Sequence, residues 1–596
     1  MLHPSASLAF RSLLKSSAAG SGLSTPARTL AGVTPPAAAF HASLIAQDTP
    51  VFLVVPADVD VEQFVSDTRF FLGALLGLSD DAARRQVLPF PSQEVDPYRG
   101  LTPHFEVASA RARALHALVS RSAKLVVASA RSLLPRLSAP ERLALVGFTI
   151  TPGMEIEPRL LGERLAVAGF APQDPVDEHG EFFVRGGVVD IYPAAEAQPV
   201  RLEFIGDIVE SLRRYDASTQ RSLTALDQVT IAPQRELLAD AAAPDDPTRF
   251  DRTSHVIDYV RLAGAQVLTF EREDIETRGR QLEVQWRASA EDASARGRQA
   301  TPYAEIALDW DTLATWLHSG RHLTALALDA PEGPSTTTHV ACQPSPEFRG
   351  RIADWVNEIR QARERHETTV FVAHTTGRAE RTIELLADYD VRARAIGQSD
   401  DLFSAAVLVT TGRLSKGFRL PAAGLQVFAE TDLFEEERRG SERRKSASST
   451  FLSDFRDLKV GDLVVHVDNG IGRFVGLKQM AIGPGGETQE FMELRYSGED
   501  KLFVPVERLD LVQKYSGGAA PALDRLGGTT WEKAKTRVKK AMRDMAEELL
   551  KLYAARKASG GFAFSPDSHW QQEFNDAFEW DLTPDQQNAI GDIAKD

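Results

Sequence analysis

At 596 residues the chain exceeds what one hydrophobic core can serve, and roughly four domains is the expectation. With 43% hydrophobic and 26% charged residues it is globular in composition, and no apolar run approaches the length of a membrane span. A net charge of −16 excludes a protein that coats nucleic acid with its whole surface; the lone cysteine, Cys342, excludes an intrachain disulfide or a cysteine-cluster metal site and suits a reducing, cytoplasmic compartment.

The first 47 residues hold no Asp or Glu, many Ser and Ala, and the bases Arg11, Lys15 and Arg28. That composition fits a transit peptide, or a disordered leader over 1–30 followed by an ordinary helix from about 35 to 46; the second is the plainer reading. The stretch "GVTPPAAAF" at 32–40 keeps the outline of a phosphate-binding loop, G-x-x-x-x-G-K-[ST], without its chemistry. Gly32 and Thr34 remain. Ala37, Ala38 and Ala39 stand where the second glycine, the lysine and the hydroxyl would be, and two prolines remove N–H donors.

"VFLVVP" at 51–56 and "KLVVA" at 124–128 read as buried strands, with a helix at 105–120 between them. This alternation implies an α/β layer with a mostly parallel sheet. After a helix at 160–169, short strands over 180–215 imply a small α+β insert. Polar helices over 241–320 and a strand at 323–328 complete the first module, expected at 31–150 and 216–330 around an insert at 151–215. The Pro-, Ser- and Thr-rich tract 330–346 reads as a linker. An amphipathic helix at 348–365, strands at 369–373, 406–410 and 425–429, and a helix at 378–387 make a second small α/β domain over 347–432. The charged tract 433–452 reads as a solvated linker.

From 453 to 517 the character changes. "GDLVVHVDNGIGRFVGL" is a hairpin turning at Asp468-Asn469-Gly470, further strands turn at 497–500, and a small β-barrel is expected. His466 stands alone and reads as structural rather than as a metal ligand. A helix over 528–560 follows, with Trp531, Val538, Met542, Met545, Leu549 and Leu552 on an apolar stripe and bases crowding its first half. The stripe says that it packs on something; the bases could follow a DNA backbone. The chain then stops inside what reads as another helix. The fold class expected is multidomain, α/β and α+β, with a small barrel and a long linker helix.

"EHGEFFVRGGVVDIYP" at 178–193, followed by "RLEFIGDIVESLRRYDASTQRS" at 201–222, is similar to the module shared by the excision-repair protein UvrB and the transcription-repair coupling factors. "SQEVDPYRGLTPHFEVASARARAL" at 92–115 matches the coupling-factor version, and the Tyr-rich DNA hairpin expected of UvrB is missing. From the residues alone, Arg185 and Arg201 either share one exposed sheet face or pair off with Glu181, Asp190 or Glu203. The resemblance implies that the insert docks UvrA, with Arg185 and Arg201 at the family's basic positions and Ile205 where the family has an aromatic. It also implies that the first module is a degenerate, UvrB-homologous motor kept as a scaffold.

"VVHVDNGIGRF" through "KLFVPVERLDLV" resembles the Tudor-like domain that binds RNA polymerase, also found in CarD regulators. It implies strand addition to the polymerase β subunit along Leu477, Lys478, Gln479, Met480, Ala481 and Ile482, with Met480 at a key apolar position. Alternatively, Met480 is barrel core. The basic helix then resembles the relay to a RecG-like translocase, whose adenine-reading motif is matched by Phe578, Thr583 and Gln586 in "FEWDLTPDQ" at the opening of 561–596. "TPDQ" alone would equally serve as a helix N-cap. "GRLSKGF" at 412–418 has the wrong spacing for a phosphate loop.

The order of modules resembles the N-terminal part of a transcription-repair coupling factor. In that family the full-length protein displaces stalled polymerase with an ATP-driven DNA translocase and recruits UvrA for excision repair. For this chain the resemblance implies RNA polymerase and UvrA as partners, with ATP, Mg²⁺ and double-stranded DNA belonging to the motor. It further implies no catalytic residue, resident cofactor, metal or membrane contact of its own, and UvrA binding uncovered by a C-terminal domain. Two rival readings are a CarD-like regulator, which binds polymerase but not UvrA, and a UvrB- or RecG-type helicase, which needs an intact phosphate loop.

Overall fold

The computed structural model describes residues 8–99, 103–217, 219–239, 249–295, 301–325, 337–396, 406–434, 460–481, 488–498, 500–505, 511–515 and 522–526, with isolated positions from 531 onward. The chain divides into two compact units, 1–441 and 442–596.

The first unit is built on a seven-stranded, all-parallel sheet. Its strands run in the order Thr337–His339, Thr29–Ala31, Arg321–Thr324, Gln266–Phe270, Val51–Val55, Leu125–Ser129 and Val87–Phe90. The apolar run at 51–55 is buried on both faces, as a central parallel strand must be. Val51, Leu53 and Val55 point into one core; Phe52 and Val54 point into another, behind helices Phe105–Val119, Val256–Ala263, Arg272–Ala295 and Trp310–His318.

The first of these cores extends into a second sheet. Strands Gln343–Pro344, Phe418–Leu420, Leu425–Ala429, Thr368–Ala373, Val407–Thr411 and Ala393–Ala395 lie side by side in that order. Val370, Val372, Leu408, Leu425 and Val427 of this sheet share a core with helices Leu8–Gly20, Pro35–Ala46 and Asp58–Leu76. These three helices are therefore a slab between two sheets. Phe40 stacks on Phe71 at 4.8 Å, and Phe71 meets Phe418 edge-on at 6.0 Å. The carboxylate of Asp67 accepts hydrogen bonds from the backbone N–H and the hydroxyl of Ser415, both at 2.6 Å.

Three expectations change here. The leader expected to be disordered over 1–30 holds the helix Leu8–Gly20, because Phe10, Leu14 and Ala18 fill the slab. The tract read as a linker contributes a strand to each sheet, Thr337–His339 to the first and Gln343–Pro344 to the second, with Val340 buried between them. The insert does not close at 215: Phe148–Ile150 pairs with Val229–Ile231 as a two-stranded neck. Within the neck, a six-stranded sheet packs its apolar face, including Val189, Val200 and Leu202, on the helix Pro158–Val167.

In the second unit five strands pair in the order Lys501–Pro505, Thr488–Arg495, Gly470–Ala481, Leu463–His466 and Val512–Lys514, each pair antiparallel. Gly470, with φ of 75°, makes the expected hairpin turn. Val464, Phe474, Met492, Leu494, Tyr496 and Val504 form the core. Trp531 donates its indole N–H to the Val467 carbonyl at 2.8 Å. Most of the expected basic helix at 528–560, residues 435–452 of the charged tract and most of 561–596 lie outside the described residues.

Candidate functional site

The loop with the phosphate-binding outline sits where such loops sit, between the strand Thr29–Ala31 and the helix Pro35–Ala46. Its surroundings leave no place for a nucleotide. Gly32 has φ of 79°, and a Cβ there would lie 2.6 Å from the Val340 carbonyl oxygen, so the chain at 337–342 runs directly against the turn. Thr34 holds the N-cap position without capping and instead contacts the Cys342 thiol at 3.3 Å. Burial pushes that thiol up from its usual range. Ala37, Ala38 and Ala39 are all 0% exposed. They offer no amine or hydroxyl, and Pro35 and Pro36 offer no N–H, so the residues present do not fit ATP and Mg²⁺.

The insert presents the second group of expected residues. Register places Phe183, Asp190 and Arg201 in one row across three strands, and Arg185, Val188 and Glu203 in the next, all on the face away from the core. Arg185 and Arg201 thus do share one face, and each is also ion-paired. Arg185 reaches Asp174 at 2.7 Å yet keeps 65% of its side chain exposed. Arg201 is clamped by both carboxylate oxygens of Asp190, at 2.7 and 2.8 Å, and lies over the Tyr215 ring. The Asp190 hydrogen bonds raise its pKa above the usual arginine value. Ile205 is 64% exposed at the strand end.

Sequence reasoning missed Arg213. The bulge between Val209 and Ser211 shifts the register, so that Arg213 stands opposite Arg201 on the same outer face. Val209, Leu212 and Tyr215 are buried three apart, and a period-2 reading of "IVESLRRY" cannot find that pattern. A bulge has no clear signal here short of the structure.

In the second unit, Leu477, Lys478, Gln479, Met480 and Ala481 form the far end of the long strand Gly470–Ala481. On one side they pair with 488–492. On the other, Leu463–His466 covers only 470–473, and among the described residues no strand pairs with the remaining edge. Leu477 is 52% exposed. The Lys478 ammonium is tied to the buried Glu493 carboxylate at 2.6 Å, and this hydrogen bond holds Glu493 below the usual carboxylate range. The side chains of Gln479, Met480 and Ala481, and the whole of Ile482, lie outside the described residues. So do Phe578 and Thr583; Gln586 is helical and exposed.

Among the described residues no helix is long and apolar enough to cross a membrane. Three family models match in succession: the UvrB interaction domain over 148–237, the MFD D3 domain over 362–433, and the CarD-like/TRCF RID domain over 458–516. The transcription-repair-coupling factor of Bacillus subtilis is 28% identical, the match covering 95% of this chain and 52% of that protein. That of Myxococcus xanthus is 30% identical over 92% of this chain and 50% of its own length; that of Escherichia coli is 28% identical over 86% and 48%. The chain spans about half the length of the curated relatives it matches. With three domain models in this order and alignment of most of the chain to about half of each relative, the chain is similar to the N-terminal part of the transcription-repair-coupling factors.

Proposed function

We propose that this chain is the docking half of a transcription-coupled nucleotide-excision repair factor. It holds RNA polymerase through the β subunit at the edge 477–482, and UvrA through the outer face of the insert around Arg185, Arg201 and Ile205. The observation that carries the proposal is the pair of open surfaces: a strand edge projecting past its neighbour, and an exposed sheet face bearing Arg185, Arg201 and Arg213. Backbone addition supplies affinity at the first, and charge and one exposed aliphatic supply selectivity at the second. ATP and Mg²⁺ are left to other regions of the full-length protein, since the loop at 32–39 is packed against its own chain. Double-stranded DNA is engaged mainly by those same regions, and the setting is the cytoplasm.

The test is a crossed binding experiment with the purified chain. Arg185→Ala/Arg201→Ala is expected to weaken UvrA about tenfold or more and leave polymerase binding intact; Leu477→Asp should do the reverse. Because Arg201→Ala strands Asp190, Arg201→Ala/Asp190→Ala is the control for local unfolding. Unchanged UvrA binding after Arg185→Glu/Arg201→Glu would overturn the assignment of that face, and polymerase binding without any UvrA binding would favour a CarD-like regulator.

A further inference from the structure

In the first unit, outside the insert, a cavity of about 280 Å³ opens where four segments meet: the helix Leu8–Gly20, the turn after it, the helix Pro35–Ala46 and the start of the strand Arg321–Thr324. Its polar lining is Lys15, Ser24, His41, Gln47 and Arg321, with no carboxylate among the lining residues. Neither Lys15 nor Arg321 forms an ion pair with a described residue. Two basic residues therefore line a cavity with no carboxylate among its described lining residues.

His41 defines the chemistry further. Its ring is 2% exposed, and Nδ1 lies 2.6 Å from the Leu23 carbonyl oxygen, which can only accept, so Nδ1 carries the hydrogen. Burial pulls the imidazole down to about 4, so at neutral pH it is uncharged and Nε2 is a bare acceptor. That Nε2 is buried with no hydrogen-bond partner among the described residues. A buried acceptor of this kind is costly to leave unmet, and what meets it must donate.

We propose that this cavity binds a small anion that also carries an O–H donor, the hydrogen phosphate ion. The anion's charge is met by Lys15 and Arg321 and its hydroxyl by His41 Nε2. The volume supports a small ligand, since pockets for drug-sized molecules run from roughly 300 to 1,000 Å³. The site is separate from the emptied loop at 32–39, although one helix serves both: its first residues are walled in, while His41, Leu44 and Ile45, farther along, line the cavity.

Phosphate against sulfate is the discriminating comparison. The two are similar in size and charge, but at neutral pH sulfate has no proton to give. Calorimetric titration of the chain with inorganic phosphate is expected to saturate at millimolar concentration or below, with sulfate about tenfold weaker. Lys15→Gln/Arg321→Gln should weaken phosphate at least about tenfold, and Lys15→Gln alone, on an exposed side chain, guards against misfolding as the cause. His41→Phe should abolish the preference for phosphate over sulfate. No saturable phosphate binding up to ~10 mM, equal affinity for the two anions, or unchanged affinity in the double variant would each overturn the proposal.

Discussion

Rebuilding the phosphate loop should damage the protein rather than awaken it. The variant Ala37→Gly/Ala38→Lys/Ala39→Thr restores the motif letter for letter, in a helix whose residues 36 to 43 are all buried. Ala38 is 0% exposed in the slab between the two sheets. A lysine there inserts three further carbons into a filled core, at about 1–3 kcal/mol, and an ammonium with no partner, at several kcal/mol more. Glycine at 37 adds up to about 1 kcal/mol of helix propensity. The sum, about 5 kcal/mol or more, is comparable with the whole stability of an ordinary domain, roughly 5–15 kcal/mol. Thermal unfolding by circular dichroism should show a midpoint lower by on the order of 10 °C, or no cooperative transition. Ala38→Met, with similar length and no charge, should show a much smaller loss and so separates crowding from charge burial. A triple variant that melts with the wild type, or binds ATP–Mg²⁺ measurably, would refute the argument that the loop is walled in.

Two further outcomes follow from buried charges. Burial raises Asp67 from 3.8 to about 7, and Asp432 from the same value to about 6. Their folded forms favour the proton, so this stability is present below the unfolded carboxyl value and lost as pH rises through about 6 to 7. His41 and His322 behave oppositely: burial lowers both from 6.5 to about 4, and their contribution is lost as pH falls through that value. Urea midpoints across pH should show both flanks, and Asp67→Asn should flatten the alkaline one; an unaltered alkaline slope would refute the role of Asp67. Arg111, 0% exposed, binds Glu236 at 2.7 Å and the Pro91 and Ser132 carbonyls, tying the segment beyond the insert's neck to the first module. Arg111→Ala leaves the buried Glu236 carboxylate without its cation, with the Gln93 amide still donating to it, and should cost about 3–5 kcal/mol in chemical denaturation, whereas loss of only a few tenths would mean that water replaces it.

The parallel sheet was legible because its central strands are unbroken apolar runs, "VFLVV" and "LVVA", and nothing else buries such runs on both faces. The hairpin at 463–481 was legible from Asn469-Gly470. The slab was not. Helix Pro35–Ala46 is apolar nearly all round, and such a helix announces only that it is buried, not what covers it. Part of what covers it lies more than 300 residues away, at Val370, Leu408 and Phe418. The strands at 337–339 and 343–344 were hidden for a different reason: they are two or three residues long and read as linker composition, and only their neighbours make them strands. At the insert, charge composition pointed to Arg185 and Arg201, but the Asp190 clamp and the alignment of Arg213 depend on a register that a bulge sets.

The shared slab also governs how the chain can be taken apart. A cut through the Pro-rich tract near 330–346 looks safe in the sequence, yet it would separate a pair of sheets that have only one set of helices between them. The piece beginning near 347 would expose the face bearing Val370, Val372, Leu408, Leu425 and Val427 to water, and the piece ending there would expose Phe40 and Phe71. Neither half is a free-standing domain in the thermodynamic sense, and subcloning either is expected to yield sticky, aggregating material. Excision at the two-stranded neck, 148–150 with 229–231, crosses a far smaller contact and is where a soluble fragment should be sought.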